Sequence, residues 1–213
     1  MKKLVSLIGI LLLFFSCSST RFVDSWKNEE ITSFSPQKLL VIGMTDNLTA
    51  RKIFEENMQK EFVMRNIIAE QGTSVIETNF TSAKKSEKEI DEMIMQLSKK
   101  GFDAIVITAV KGVDKRRNYY DNYNTFGYRW VRFGRYYYWY QDIYFRPDYY
   151  NEYTVYHVET SIYNINEDER KSLVWVGAID LVDPQTISST VKNYVSRIIE
   201  QLEYENLIKK RSI

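Results

Sequence analysis

The sequence has little of the residue types on which many enzyme, metal and redox sites depend. Its 213 residues include one cysteine, Cys17, and one histidine, His157. A single cysteine excludes an intramolecular disulfide. Glycines are few, and Gly43 and Gly101 stand alone, so the chain has no phosphate-cradling glycine motif. Glu167-Asp168-Glu169 lacks the ligand spacing of a calcium loop. We therefore expect no metal and no cofactor.

The chain also lacks an excess of charge of one sign. It has 29 basic and 28 acidic residues. General nucleic-acid binding needs a basic footprint, so we expect no nucleic-acid partner.

Long hydrophobic runs are missing beyond the N-terminus. There, two lysines precede an apolar run of about a dozen residues, Leu4–Phe15, which ends at Ser16 and Cys17. This length is typical of a secretory signal, whereas a membrane-spanning helix needs about 20 apolar residues. The pattern predicts a lipoprotein signal peptide over residues 1–16, lipidation of Cys17 and a lipidated tether over residues 17–36.

The residues after Cys17 bear on its location. Several acyl chains hold a protein firmly at a bilayer, which one chain does not. Ser18 is not the aspartate that retains lipoproteins in the inner membrane, and no acidic cluster follows. We predict a lipid-anchored protein of the outer membrane, on its periplasmic face.

The remainder, residues 37–213, is predicted to be a single α/β domain. Continuous apolar runs at Lys38–Met44 and Ala104–Val110 are typical of strands buried on both faces. Between them, the patterns predict a helix over 48–69 with a C-terminal cap at Gly72, a strand over Thr73–Thr78 and a helix from the Ser86–Glu89 capping box to Gly101.

The C-terminal part changes pattern. Alternating stretches at Thr154–Ile165 and Lys171–Val182 predict an antiparallel hairpin, and Asp183-Pro184 opens a final helix. The order is β-α-β-α-β-(insert)-β-β-α. We predict a three-layer fold around a mixed five-stranded sheet of order 2-1-3-4-5, with strand four antiparallel.

The insert, residues 111–153, is rich in tyrosine, tryptophan and arginine. Loops of this length are usually functional or disordered, and disorder comes with few aromatic residues. Three interpretations stay open. The insert packs on its own domain, as a β-hairpin around Phe133-Gly134-Arg135 or a meandering loop; it binds a protein; or it contacts a glycan of peptidoglycan or lipopolysaccharide. The candidate binding residues are Tyr128, Arg129, Trp130, Arg132, Arg135, Tyr136, Tyr138 and Trp139.

No catalytic constellation is recognisable. His157 lies in an alternating strand with Glu159 on the same face, and no nucleophile completes a set. We therefore interpret His157 as structural and predict that the protein is not an enzyme.

Several segments together resemble a family of bacterial envelope lipoproteins with no assigned activity, many from Bacteroidetes. The matching segments are Cys17, Trp26, Leu40–Gly43, Gly101–Thr108, Tyr119–Tyr153, Val158–Tyr163 and Leu173–Trp175. The β/α order is also similar to periplasmic lipoprotein domains that regulate peptidoglycan synthesis or assist secretion. The resemblance implies an envelope location and leaves the molecular task open.

The functional prediction is a non-enzymatic outer-membrane lipoprotein that presents its insert to an envelope protein. Glycan binding is the alternative, and a cryptic enzyme comes third.

Overall fold

The computed structural model describes residues 20–31, 34–77, 84–115, 132–144, 154–167, 172–184 and 186–211. In these ranges the chain forms six strands and five helices. The strands are β1 (Thr20–Lys27), β2 (Leu39–Met44), β3 (Ala69–Gln71), β4 (Ala104–Lys115), β5 (Thr154–Asn164) and β6 (Leu173–Val182). The helices are α1 (Leu48–Val63), α2 (Gly72–Val75), α3 (Glu87–Lys99), α4 (Phe133–Tyr144) and α5 (Ile187–Tyr204).

The predicted signal peptide over residues 1–16 and the lipidation site Cys17 lie outside the described residues. Among the helices that the structure describes, none has the length and apolar character needed to cross a membrane.

The strands form one open mixed sheet in the order β1-β6-β5-β4-β2-β3. Strand β2 is parallel to β3 and β4, whereas β5 is antiparallel to both β4 and β6. The prediction of a mixed α/β sheet is confirmed, whereas the predicted strand count and order differ in detail from the structure. The predicted count was wrong, because β1 adds a sixth strand antiparallel to β6 at the edge.

Strand β1 lies inside the stretch that was predicted as a tether. Its register on β6 shifts between Phe22 and Asp24, and this irregularity interrupts the alternation that marks a strand in sequence. Strand β4 also exceeds its prediction: it continues to Lys115, past the predicted start of the insert.

Helices cover both faces of the sheet, so the three-layer prediction is confirmed. On one face, α1 and α5 bury apolar side chains such as Phe54, Met58 and Ile198 against the strands. On the other face, α3 contributes Ile90 and Leu97 to a second cluster, together with α4. The second cluster thus includes residues of the insert, which α4 contributes.

Three predicted helix ends are confirmed. Asn47 caps α1 by accepting from the Ala50 amide, and Ser86 and Glu89 form the capping box of α3. Gly101, after α3, has φ of 82°, a conformation that favours glycine.

The region between α1 and α3 differs from its prediction. Helix α1 ends at Val63 because the chain turns at Asn66, whose φ is 63°. The edge strand β3 comes earlier than predicted, and Gly72 is the first residue of α2 instead of a helix cap. A Cβ at this position would lie 2.9 Å from the Val41 carbonyl oxygen, so close packing against β2 requires glycine.

The start of the last helix was also predicted wrongly. Helix α5 begins at Ile187, with Thr186 as its N-cap, and Asp183 has φ of 45° in the preceding turn. Both Asp-Pro and Thr are compatible with a helix start, and the turn after β6 decides between them.

Glu205, just after α5, holds the edge of the sheet in place. Its carboxylate accepts hydrogen bonds from Ser25 of β1 and from the indole of Trp175 in β6, and its carbonyl accepts from Lys27. Trp175 is fully buried and lies over Gly177, where a Cβ would come within 2.1 Å of the indole ring. Strand β1 is thereby fixed to the body of the domain.

Candidate functional site

Besides the last residues of β4, the described part of the insert comprises Arg132 and helix α4, which has two different faces. Phe133, Tyr136 and Tyr137 are 2%, 4% and 7% exposed and pack on the sheet. Their spacing, three and four residues apart, places them on one side of a helix. The predicted β-hairpin around Phe133 was therefore wrong. The same spacing is present in the sequence, but the neighbouring aromatic residues obscure it.

Close packing contacts hold α4 on the domain. The Phe133 ring meets the ring of Tyr163 in β5 edge-on, with centroids 5.6 Å apart. Gly134 faces α3, and a Cβ there would lie 2.9 Å from the Asp91 carboxylate and 3.3 Å from Ile94. The absence of a side chain at Gly134 therefore permits the close approach of the two helices.

A partly buried polar cluster lies beneath α4. Glu159 of β5 accepts hydrogen bonds from Lys111 Nζ at 3.2 Å and from the Tyr136 hydroxyl at 3.0 Å. The Lys111 ammonium also lies 5.0 Å from the centroid of the Tyr136 ring. The register of β4 on β5 shifts between Val110 and Gly112, around Lys111, and such shifts re-aim side chains. The cluster ties α4 to two strands.

Burial changes the proton affinity of two members of this cluster. Desolvation lowers the pKa of Lys111 to about 8, and the attraction of Glu159 only partly offsets it. Desolvation, together with the charge of Glu159, raises the pKa of Tyr136 well above its usual value. Tyr136 is therefore a neutral hydrogen-bond donor at neutral pH.

The opposite face of the same strands has its own polar chain. Thr108 and Thr160 share a hydrogen bond of 2.6 Å, and Thr160 shares another of 2.6 Å with the hydroxyl of Tyr194 in α5. Burial raises the pKa of Tyr194. Strand β5 thus makes a polar contact with a helix on each face of the sheet.

His157 lies between two aspartates on neighbouring strands. Its Nδ1 is 2.6 Å from Asp180 of β6, and its Nε2 is 3.1 Å from Asp114 of β4. Asp180 also accepts a hydrogen bond from Arg21 of β1. This row crosses four strands, so the geometry fits a structural histidine. Asp180 and Asp114, rather than Glu159, are the partners.

The carboxyl ends of β2 and β4 form the place where open α/β sheets usually bind ligands. Here, the side chain of Glu55 from α1 occupies the end of β2. It is fully buried and accepts from the Gly43 amide at 3.1 Å, the Arg51 guanidinium at 3.0 Å and the Thr73 amide at 2.7 Å. The Gly43 amide therefore donates its hydrogen bond to a carboxylate of the protein itself.

A groove of about 330 Å³ opens at the other end of the sheet, between Phe34, Ala104 and Asn164. Asp103, on its wall, already accepts from the amides of Gln37 and Lys38. Among the residues that the structure describes, no group of three histidine, cysteine, aspartate or glutamate side chains is arranged to hold a metal.

The predicted binding residues differ in whether the structure describes them and in whether they are exposed. Tyr128, Arg129 and Trp130 lie outside the described residues, and Trp139 is in α4 without a described side chain. Arg132, Arg135 and Tyr138 are exposed on α4. Tyr136 is buried, so its prediction as a surface contact was wrong. Lys111 and Glu159 were not recognised as a pair because their meeting depends on strand register, which the sequence does not show.

No protein-family model matches the chain, and no curated protein matches it in sequence. Among solved structures, two of the PelC dodecamer from Paraburkholderia phytofirmans are similar, at 10% and 8% identity and TM-scores of 0.41 and 0.42. Each match covers 86% of this chain and 96% of that chain. The lipoprotein GNA1162 from Neisseria meningitidis is 12% identical at a TM-score of 0.39, over 79% of this chain and 99% of that one. Likenesses this weak do not establish a shared fold, and the predicted Bacteroidetes resemblance stays a prediction.

Proposed function

We propose that the protein is a non-enzymatic envelope lipoprotein, anchored in the outer membrane through Cys17, which binds a protein partner through α4. The proposed contact surface consists of Arg132, Arg135 and Tyr138, and we call it the insert-helix face. The partner is an envelope protein whose own surface offers carboxylates to the two arginines.

The division of α4 into a buried and an exposed face is the observation that carries this proposal. Phe133 and Tyr137 hold the helix in the core, so the side chains on the other side project from a fixed backbone. Pre-organised contacts lose less conformational entropy on binding. Arginine and tyrosine are enriched among the residues that dominate binding energy at protein interfaces. Tyr138 is 41% exposed although its ring is large.

Site-specific crosslinking in the intact envelope tests the proposal. A photo-reactive residue replaces Arg132, Arg135 or Tyr138 in turn, and Tyr204, 79% exposed at the end of α5, serves as the control position. We expect one discrete protein adduct from the insert-helix face and none from position 204. The double substitution Arg132→Glu and Arg135→Glu is then made in the chain that carries the photo-reactive residue at position 138. We expect it to abolish the adduct, because charge reversal repels an acidic partner.

Glycan binding gives a different outcome. Retention of the purified protein on isolated sacculi, lost in the same double variant, would replace the protein partner with a peptidoglycan ligand. Equal adducts from position 204 and from the insert-helix face would contradict the proposal.

A further inference from the structure

Four strand ends meet at one end of the sheet. Thr20, at the start of β1, is paired with Leu181 near the end of β6. Leu181 is paired with Tyr156 near the start of β5, and Tyr156 with Val113 near the end of β4. We call this the anchor end. The insert leaves the sheet after β4 and returns at β5, so it begins and finishes here.

The anchor end lies close to the proposed lipid. Cys17 is three residues before Thr20. Three residues span at most about 11 Å even when fully extended. Since β1 is hydrogen-bonded to β6 from Thr20 onward, lipid on Cys17 would leave almost no free tether between the bilayer and the folded domain. The short reach allows the anchor end, and not the far end of the sheet, to touch the headgroups.

Two exposed apolar side chains stand at the same end. Helices α1 and α5 follow β2 and β6, so both begin on the side of the sheet where those strands finish. Strand β2 finishes at Met44, which is paired with Ala109, four residues before Val113 in β4. Their first residues, Leu48 and Ile187, are 70% and 40% exposed. Neither position needs an apolar side chain for the helix itself, since acidic residues are favoured in the first turn. A lipid interface accommodates such side chains.

We infer that the anchor end is a membrane-contacting surface, with Leu48 and Ile187 against the headgroup layer of the leaflet that holds the lipid on Cys17. This inference rests on the proposed lipidation. In this orientation the sheet extends from the bilayer, with its anchor end toward the membrane.

The orientation leaves the insert-helix face accessible. Phe133, beside Arg132, packs on Tyr163, which is paired with Ile105 near the start of β4. Ile105 and Val113 are eight residues apart along β4, which corresponds to about 26 Å. The Arg132 end of the insert-helix face therefore lies well away from the bilayer, where a periplasmic partner can reach it. Farther along α4, Tyr136 contacts Glu159, which is paired with Ala109, midway between Ile105 and Val113 in β4.

Exposed apolar side chains also occur at the far end, where Ile68 and Tyr204 are 62% and 79% exposed. They do not share the proximity to Cys17, so they supply matched controls. Ile187 and Tyr204 lie at opposite ends of α5, about 26 Å apart along its axis.

Fluorescence quenching on vesicles tests the orientation. The acylated protein has no other cysteine, so a single thiol introduced by Leu48→Cys, Ile187→Cys, Ile68→Cys or Tyr204→Cys takes one fluorophore. Each labelled protein is placed on phosphatidylcholine vesicles that contain a headgroup nitroxide lipid. All four positions are exposed, and circular dichroism verifies that each variant is folded. We expect labels at positions 48 and 187 to be quenched several times more strongly than those at 68 and 204.

The outcomes separate this inference from the function on which it rests. Equal quenching at both ends, or stronger quenching at positions 68 and 204, overturns the proposed orientation but does not contradict the lipid anchoring. A protein that stays in solution and takes the label on Cys17 itself overturns the lipidation, and the orientation with it.

Discussion

Lys111 of β4 contributes to the contact between α4 and the sheet. Its side chain is only 11% exposed, and Glu159 only partly compensates its charge for the water that burial removes. Removal of one partner from a buried pair leaves the other uncompensated, which costs more than the intact pair contributes. The contact therefore makes the position of α4 sensitive to the protonation of one ammonium group.

The lowered pKa of Lys111 predicts a pH-dependent stability. Between about pH 8 and the usual lysine pKa, the unfolded chain binds more protons than the folded one, so this group makes the free energy of unfolding rise with pH. We expect the stability of the wild type, relative to Lys111→Met, to increase by about 1–2 kcal/mol from pH 7 to 9.5. Urea unfolding of both proteins at the two pH values measures it.

Tyr136 does not contribute to this stability difference between pH 7 and 9.5. Its raised pKa lowers stability only above the usual tyrosine pKa, beyond the window, and it is present in both proteins. A stability difference that is constant with pH would show that Lys111 is charged in the folded state throughout.

At the scale of elements, α4 belongs to the core as well as to the surface. Phe133, Tyr136 and Tyr137 lie in the same hydrophobic cluster as Ile90 and Leu97 of α3. Helix α4 is thus packed on the domain through one face and exposed on the other. Self-packing describes the first face, and binding by the second face stays a proposal.

This division predicts opposite responses to truncation on the two faces of α4. Phe133→Ala removes a ring that is 2% exposed and is expected to lower the free energy of unfolding by about 3–5 kcal/mol. Tyr138→Ala, on the insert-helix face, is the matched control and is expected to cost about 1 kcal/mol or less. Chemical denaturation of the two variants measures both values. Similar losses at the two positions would mean that α4 does not have separate faces.

For the whole molecule, the proposed lipid decides where the domain works. Cys17→Ser removes the thiol that would carry the lipid, and we expect the protein to move from the membrane fraction to the soluble fraction. Ser19→Ala, which leaves the thiol in place, is the control and should stay with the membrane. Fractionation of the envelope followed by immunoblotting measures the distribution. A Cys17→Ser protein that still sediments with the membrane would contradict lipid anchoring.

The predictions that succeeded concern local patterns. The fully apolar runs of β2 and β4, the capping box at Ser86 and the alternation of β5 each report a local cause, and each is confirmed in the structure. The errors occur where local signals conflict: β1 has an interrupted alternation, and α4 has aromatic residues on every side. In such segments, the conformation depends on the part of the domain against which the segment packs.

The sequence by itself determined the order of most elements, the layered α/β class and the expectation of a lipid at Cys17. These follow from periodicity and short motifs, which act over a few residues. Only the tertiary structure decided that β1 completes the sheet, that Lys111 meets Glu159 and that Tyr136 is buried while Tyr138 is exposed. Those outcomes depend on strand register and on the packing of distant segments, because a side chain's burial and charge state are set by neighbours that the local sequence does not specify.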